Sequence, residues 1–179
     1  QNDQIRVLEN EAAFPHAWMT HAVQEAEHTA IPDLLSSGEV DPHQVTLIER
    51  GGTPVLPMEP GSGADSVRIT SYAPDAMTIE TASTGNGMLV VSEIFTPGWN
   101  AYVDGKRTPI QQVNFLFRGI PLAAGEHTVE LRYESRALRL GLAATAGTAV
   151  GMAIFGGWAL FDGRRRRSAP VDERARQTA

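Results

Sequence analysis

Between Leu140 and Phe161 the chain runs for 22 residues, LGLAATAGTAVGMAIFGGWALF, without a single charged side chain. A helix of that length reaches about 33 Å, enough to cross a hydrocarbon core of roughly 30 Å. Arg136 and Arg139 stand before it, and Asp162 with Arg164, Arg165, Arg166 and Arg167 stand after it. A charge at the centre of a bilayer costs about 2.5–3.5 kcal/mol on insertion scales, so a span excludes charges and collects them at its ends. The alternatives are a buried helix of a soluble protein and a Gly/Ala-rich loop. The flanking arginines disfavour both. The Arg run abuts the span, where topology determinants belong, so it reads as an orientation signal rather than a nucleic-acid patch. By the positive-inside rule the C-terminus is cytoplasmic and the N-terminal body lies outside. Trp158 falls near the inner boundary, where an indole is favourable.

Charge divides at the same place. Residues 1–135 hold 7 basic and 18 acidic side chains, a net of −11, whereas residues 136–179 hold 8 and 3, a net of +5. The whole-chain charge of −6 conceals an acidic body and a basic end, and it argues against a general nucleic-acid binder. There are no cysteines, which excludes disulfides, thiolate metal sites and cysteine nucleophiles. The predicted organisation is an extracytoplasmic β-rich domain over 1–135, a transmembrane helix over 138–161 and a basic cytoplasmic tail over 162–179. Past Arg167 the tail is polar and reads as disordered.

The span is only weakly hydrophobic. Gly141, Thr145, Ala149, Ala153 and Gly157 recur every fourth residue, with Ala143, Gly147 and Gly151 as a second row. Small rows let helices approach closely in lipid, so Gly147, Gly151, Ala153 and Gly157 are candidate helix-packing positions. Homodimerisation through Gly147 and Gly151 is the other use of such a row. The sequence opens on Gln1, and residues 1–30 show no basic segment followed by an apolar stretch. About 135 residues must still cross the membrane, through a removed signal peptide or through upstream spans. The small-residue helix favours the second, which makes this the C-terminal part of a polytopic protein.

The acidic body alternates as half-buried strands do. Val67, Ile69 and Ser71 share one face, and Arg68, Thr70 and Tyr72 the other. Met77, Ile79 and Thr81 oppose Thr78, Glu80 and Ala82. Met88 to Phe95 is continuously apolar enough for a strand covered on both sides. Asp104-Gly105 is a favoured two-residue hairpin turn. Val113, Phe115 and Phe117 are expected along one face of the next strand, opposite Asn114, Leu116 and Arg118. Val129, Leu131 and Tyr133 alternate in the last. Turns fall at 73–75, 84–87 and 123–126. The pattern predicts an antiparallel β-sandwich or jelly-roll followed by one transmembrane helix. Earlier, Ala17 to Val23 reads as a strand, Ala30 to Ser36 as a short helix capped by Thr29, and Gln44 to Glu49 as a strand. Residues 51–65, with four glycines and three prolines, read as an exposed connection.

Chemistry is sparse. His16, His21, His28, His43 and His127 form no HxxxH or HxH pair, and no nucleophile elbow, phosphate loop or dinucleotide fingerprint is present. Glu80, Glu93, Asp104 and Glu130 lie on or beside predicted strands, where such residues are usually solvated. Sequence spacing does not bring any two of them to the separation that glycoside hydrolysis needs. No catalytic residue, metal or cofactor is expected in this chain. Trp99, Asn100, Tyr102, Phe115 and Arg118 could form an aromatic, hydrogen-bonding platform for a sugar or a partner. The competing reading puts Trp99 and Phe115 in the core and Tyr102 at its rim. Arg118 then reads as a surface ion pair or a membrane-proximal contact.

Residues 97–133, PGWNAYVDGKRTPIQQVNFLFRGIPLAAGEHTVELRY, resemble the C-terminal signature of the YfhO-type bacterial membrane proteins. That signature has a PGW-x-A-x-VDG hairpin, an N-x-x-FR strand, a P-x-x-AG-x-H-x-V-x-x-x-Y strand and a final span. Residues 6–18, RVLENEAAFPHAW, resemble a second segment of the family, with His16 where Arg is common. The resemblance implies a large multi-span protein of the GT-C glycosyltransferase type, which moves sugars from polyprenyl-phosphate carriers to cell-envelope glycans. The acidic catalytic residues of such enzymes lie in early loops, to which no position here corresponds. The implied partners are membrane lipid, other transmembrane helices, and a polyprenyl-phosphate sugar or envelope glycan. The other function class is a single-span surface protein with a carbohydrate- or protein-binding sandwich.

Overall fold

The computed structural model describes residues 13–51 and 56–167. The first of the two family-like segments is therefore seen only from Ala13 onward, and the tail past Arg167 lies outside the described residues. The chain divides into two compact units, with the break between Glu134 and Ser135.

The first unit is a sandwich of two sheets. β1 (Ala17–Thr20), β2 (Ala22–Ala26), β3 (Val45–Glu49), β6 (Gly87–Val91), β9 (Gln111–Val113) and β10 (Phe117–Leu122) form one sheet in the order β1-β6-β10-β9-β3-β2. β4 (Ser66–Ala73), β5 (Ala76–Ser83), β7 (Trp99–Val103), β8 (Lys106–Thr108) and β11 (Gly125–Tyr133) form the other in the order β4-β5-β11-β7-β8. All pairings are antiparallel except β2 with β3, which run parallel through α1 (Ile31–Ser36). That crossover makes the six-stranded sheet mixed.

The core follows the period of two. Met77, Ile79, Val129, Leu131 and Ala101 point from the five-stranded sheet onto Met19, Leu89, Val91, Ile120 and Leu122 of the other. The alternate residues of the six-stranded sheet, Trp18, Met88, Val90 and Val113, gather on its other face, where Met58 of the long connection and Phe117 cover them. α1 packs Ile31, Leu34 and Leu35 against Ala26 and Leu47. β6 is thus buried at every residue, as a strand covered on both faces must be.

Several local expectations shift. The apolar run from Met88 stops as a strand at Val91, and residues 92–98 form a loop. His21 divides the first strand into β1 and β2. The helix starts at Ile31 after Ala30, with no side-chain cap; Pro32 in its first turn takes the place of the Thr29 cap. Residues 111–122 are two strands, because Asn114 and Phe115 both adopt positive φ, 47° and 72°, and turn the chain back. Asn114 tolerates this conformation, and its Oδ1 accepts the Leu47 N–H at 2.8 Å while its own N–H donates to the Leu47 carbonyl at 2.8 Å. Asp104-Gly105 makes the expected hairpin, with φ of 50° and 77°.

The second unit is α2 (Arg136–Arg167), which carries the Arg run within the helix rather than in a separate tail. Leu140–Trp158 is long and apolar enough to cross a membrane, with a mean hydropathy of 1.5, and none of that window is buried. Leu142, Met152, Ile154, Phe155 and Trp158 are all exposed. The hydroxyls of Thr145 and Thr148 donate to the carbonyls of Gly141 and Ala144, each at 2.9 Å, so the polar groups of this stretch are satisfied within the helix. Gly147, Gly151 and Gly157 face open space.

Candidate functional site

β7 separates three of the candidate contact residues by its alternation. Trp99, Ala101 and Val103 turn inward, whereas Asn100 and Tyr102 stand on the outer face of the five-stranded sheet. On that face Arg107, directly across from Tyr102, donates through Nη2 to Asn100 Oδ1 at 2.5 Å. Asn100 Nδ2 and Tyr102 OH each reach Glu134, at 3.3 Å. Arg132 lies over the Tyr102 ring, 5.2 Å from its centroid. The five groups therefore hold one another in fixed orientation.

Beside them runs a groove of about 400 Å³ between the loop before β7 and the segment after β8. Pro97, Trp99 and Asn100 line one wall, and Arg107, Thr108 and Pro109 the other. The arrangement offers apolar surface from the indole and the prolines beside a guanidinium, with the Asn100 amide held by Glu134 and the Thr108 hydroxyl by the Lys106 carbonyl. Such a mixture suits a hydroxyl-rich ring carrying a partial or full negative charge.

Arg118 takes a different position. It is buried, 4% exposed, which corrects the expectation of a surface contact. Its Nη1 donates to Glu93 Oε2 at 2.9 Å, its Nε donates to the Ile94 carbonyl at 3.1 Å, and its guanidinium lies 4.0 Å from the centre of the Trp99 ring. Burial lowers the guanidinium pKa and Glu93 opposes that shift, so the group stays charged. Glu93 Oε1 also accepts from the Tyr72 hydroxyl at 2.8 Å and lies 3.2 Å from His16 Nε2. The bond to Glu93 raises the Tyr72 pKa. Arg118 and Glu93 come from the six-stranded side, Tyr72 and Trp99 from the five-stranded side. The cluster is a polar clasp across one end of the sandwich.

Trp99 links clasp and groove. One contact of its ring is Arg118, another is Tyr133 at 5.8 Å, and it packs on the core as well. Arg107 and Glu134 were missed in the sequence, and Glu93 was read there only as a solvated carboxylate. The usable signal for Arg107 was the VDG hairpin, which places it across from Tyr102; Glu134 and Glu93 had none, because their partners are fixed only by sheet packing. Phe115 does not join the platform; it packs beside α1 against His28, with ring centres 5.0 Å apart.

The family model of the bacterial membrane protein YfhO matches residues 63–145. Over these residues the chain is similar to that family. The YfhO segment contains the whole five-stranded sheet, then β6, β9 and β10, and the first turns of α2. Groove, clasp and the start of the apolar helix all fall inside it, except His16. Neither a curated protein nor a solved structure matches the chain. The similarity supports a membrane protein, in agreement with the apolar helix.

Proposed function

We propose that this chain is the non-catalytic, extracytoplasmic module and last span of a polytopic glycosyltransferase that uses a lipid-linked sugar. In this reading the groove beside Asn100 and Arg107 holds the cell-envelope glycan that is to be modified. The observation that carries it is the groove itself: indole, prolines, amide, hydroxyl and guanidinium converge within one YfhO-type segment. Residues 1–135 lie outside the membrane and Arg164 to Arg167 hold the C-terminus in the cytoplasm, as the positive-inside rule requires. Gly147, Gly151, Ala153 and Gly157 face other helices of the parent protein.

The binding step is tested with the full chain in lipid nanodiscs, titrated with a panel of cell-envelope oligosaccharides while indole fluorescence is followed. A saturable change that Arg107→Ala removes, and that Arg68→Ala on the far part of the same sheet leaves intact, is the expected result. No saturation with any glycan overturns the binding role. The enzymatic step is tested in the parent protein: Arg107→Ala is expected to raise KM for the acceptor glycan without changing KM for the lipid-linked donor.

A further inference from the structure

The exposed apolar side chains of the β unit include a group at one pole. Ile94 and Tyr72 are each 60% exposed, Tyr133 46% and Leu116 45%. Short links tie them together. The Tyr72 hydroxyl sits on Glu93, the neighbour of Ile94; the Phe95 N–H donates to the Leu116 carbonyl at 2.7 Å; Tyr133 packs on Trp99 and sits where a side chain on Gly98 would be. Strand direction explains the gathering. β4, β6 and β11 end at this pole, while β7 and β10 begin there. The opposite pole has the polar turns at Asp104-Gly105 and Ala123 to Glu126, with Lys106 exposed. A nine-residue strand such as β11 puts about 30 Å between the two.

Apolar groups left in water at one pole call for a cover, and the covalent chain says what lies within reach. β11 ends at Tyr133, α2 begins at Arg136, and the apolar window opens at Leu140. Three extended steps span at most about 10 Å and four helical steps about 6 Å. Tyr133 is then no more than about 16 Å from the hydrocarbon boundary, of which the headgroup layer takes about 5–7 Å. Tyrosines with isoleucine and leucine are the side chains that the headgroup–acyl boundary favours. The buried ionic pair of the pole, Arg118 with Glu93, is turned inward, and the exposed carboxylate of Asp75 at the β4–β5 turn suits headgroup depth rather than the acyl region.

We propose that Tyr72, Ile94, Leu116 and Tyr133 form a membrane foot, resting in the phospholipid headgroup region of the bilayer that α2 crosses. The foot rests on the reading of α2 as a span, so the test measures both. The chain has no cysteine, and single cysteines carry a unique environment-sensitive fluorophore. The full chain is reconstituted in phosphatidylcholine–phosphatidylglycerol vesicles as Ile94→Cys, Leu116→Cys, Lys106→Cys and Ala149→Cys. Labels at 94 and 116 are expected to lose emission to lipids with a shallow nitroxide and to resist aqueous iodide. The label at 106 shows the reverse, and the label at 149 is quenched by a deep nitroxide.

Iodide quenching at 94 and 116 equal to that at 106 overturns the foot. So does shielding of 94 and 116 from both quenchers, which means protein rather than lipid covers them. Equal lipid quenching at 94 and 106 also overturns it, because the sandwich then lies along the surface. Failure of deep quenching at 149 removes the span, and the foot with it.

Discussion

At the residue scale the decisive fact is that Trp99 and Arg118 act on each other. The indole is held by a buried guanidinium on a ring face, and that guanidinium is held by Glu93. Removing one member of a buried ion pair leaves the other charged and short of partners, typically at about 3–5 kcal/mol. Arg118→Ala is expected to lower stability by about 3 kcal/mol, since Tyr72 and His16 still solvate Glu93 in part. Chemical denaturation of the full chain in detergent checks it. A change below about 1 kcal/mol shows that the clasp is ornamental.

His21 carries the pH dependence. Its Nδ1 lies 2.8 Å from the Asn86 carbonyl and its Nε2 lies 2.8 Å from Asp65 Oδ2, and only the imidazolium donates to both. Burial opposes protonation, but the carbonyl and the carboxylate outweigh it, and the pKa rises above 6.5. A raised folded pKa means this stabilisation is complete below about 6.5 and disappears as pH climbs through the folded value. The melting temperature of the native chain should therefore exceed that of His21→Phe by most in mildly acidic buffer. The gap should narrow toward mildly alkaline pH; a gap that widens refutes the double donor.

At the element scale, strands whose partners were set by alternation were legible in the sequence. β5 and β11 each showed a clean inward face, because one side meets the core and the other meets water, whereas a bulge between Ile69 and Ser71 of β4 puts Tyr72 rather than Ser71 on the side of Val67 and Ile69. Asp104-Gly105 was legible for its backbone chemistry. Residues 111–122 were not, because Val113, Phe115 and Phe117 keep the strand period while two residues of positive φ reverse the chain between them. The parallel β2–α1–β3 unit was hidden for a different reason: pairing direction leaves no mark on a five-residue strand. Of the site, Trp99, Asn100 and Tyr102 were named together without the alternation of β7 that parts them, and the burial of Arg118 depends on a loop from β6.

The reversal at Asn114 also ties β9 and β10 to β3 through Leu47. Asn114→Ala loses a buried acceptor, leaves the Leu47 N–H unpaired and puts in the left-handed region a residue that tolerates it less well than asparagine. About 2–3 kcal/mol of destabilisation is expected. Hydrogen exchange at Leu47 should accelerate in the variant; unchanged protection there would show that the turn is held elsewhere.

At the scale of the whole molecule, composition is a record of topology. The −11 body and the +5 end are separated by a helix whose large apolar side chains are exposed among the described residues, from Leu140 to Trp158. An exposed apolar surface around the entire helix is compatible with lipid or with other spans and not with water. In the proposed topology the arginines that end it set the direction of insertion, because moving Arg164, Arg165, Arg166 and Arg167 across the membrane is disfavoured. Absence of cysteine again makes the test simple. The parent protein, its other cysteines replaced, is given one cysteine at Ala179 or one at Lys106, and intact cells are treated with a membrane-impermeant maleimide. Lys106→Cys is expected to react in intact cells and Ala179→Cys only after lysis. Replacing Arg164 to Arg167 with Gln should increase labelling at Ala179→Cys in intact cells. If Ala179→Cys reacts at once with all four arginines in place, the acidic sandwich faces the cytoplasm. In that case a role on envelope glycans falls whatever the groove binds.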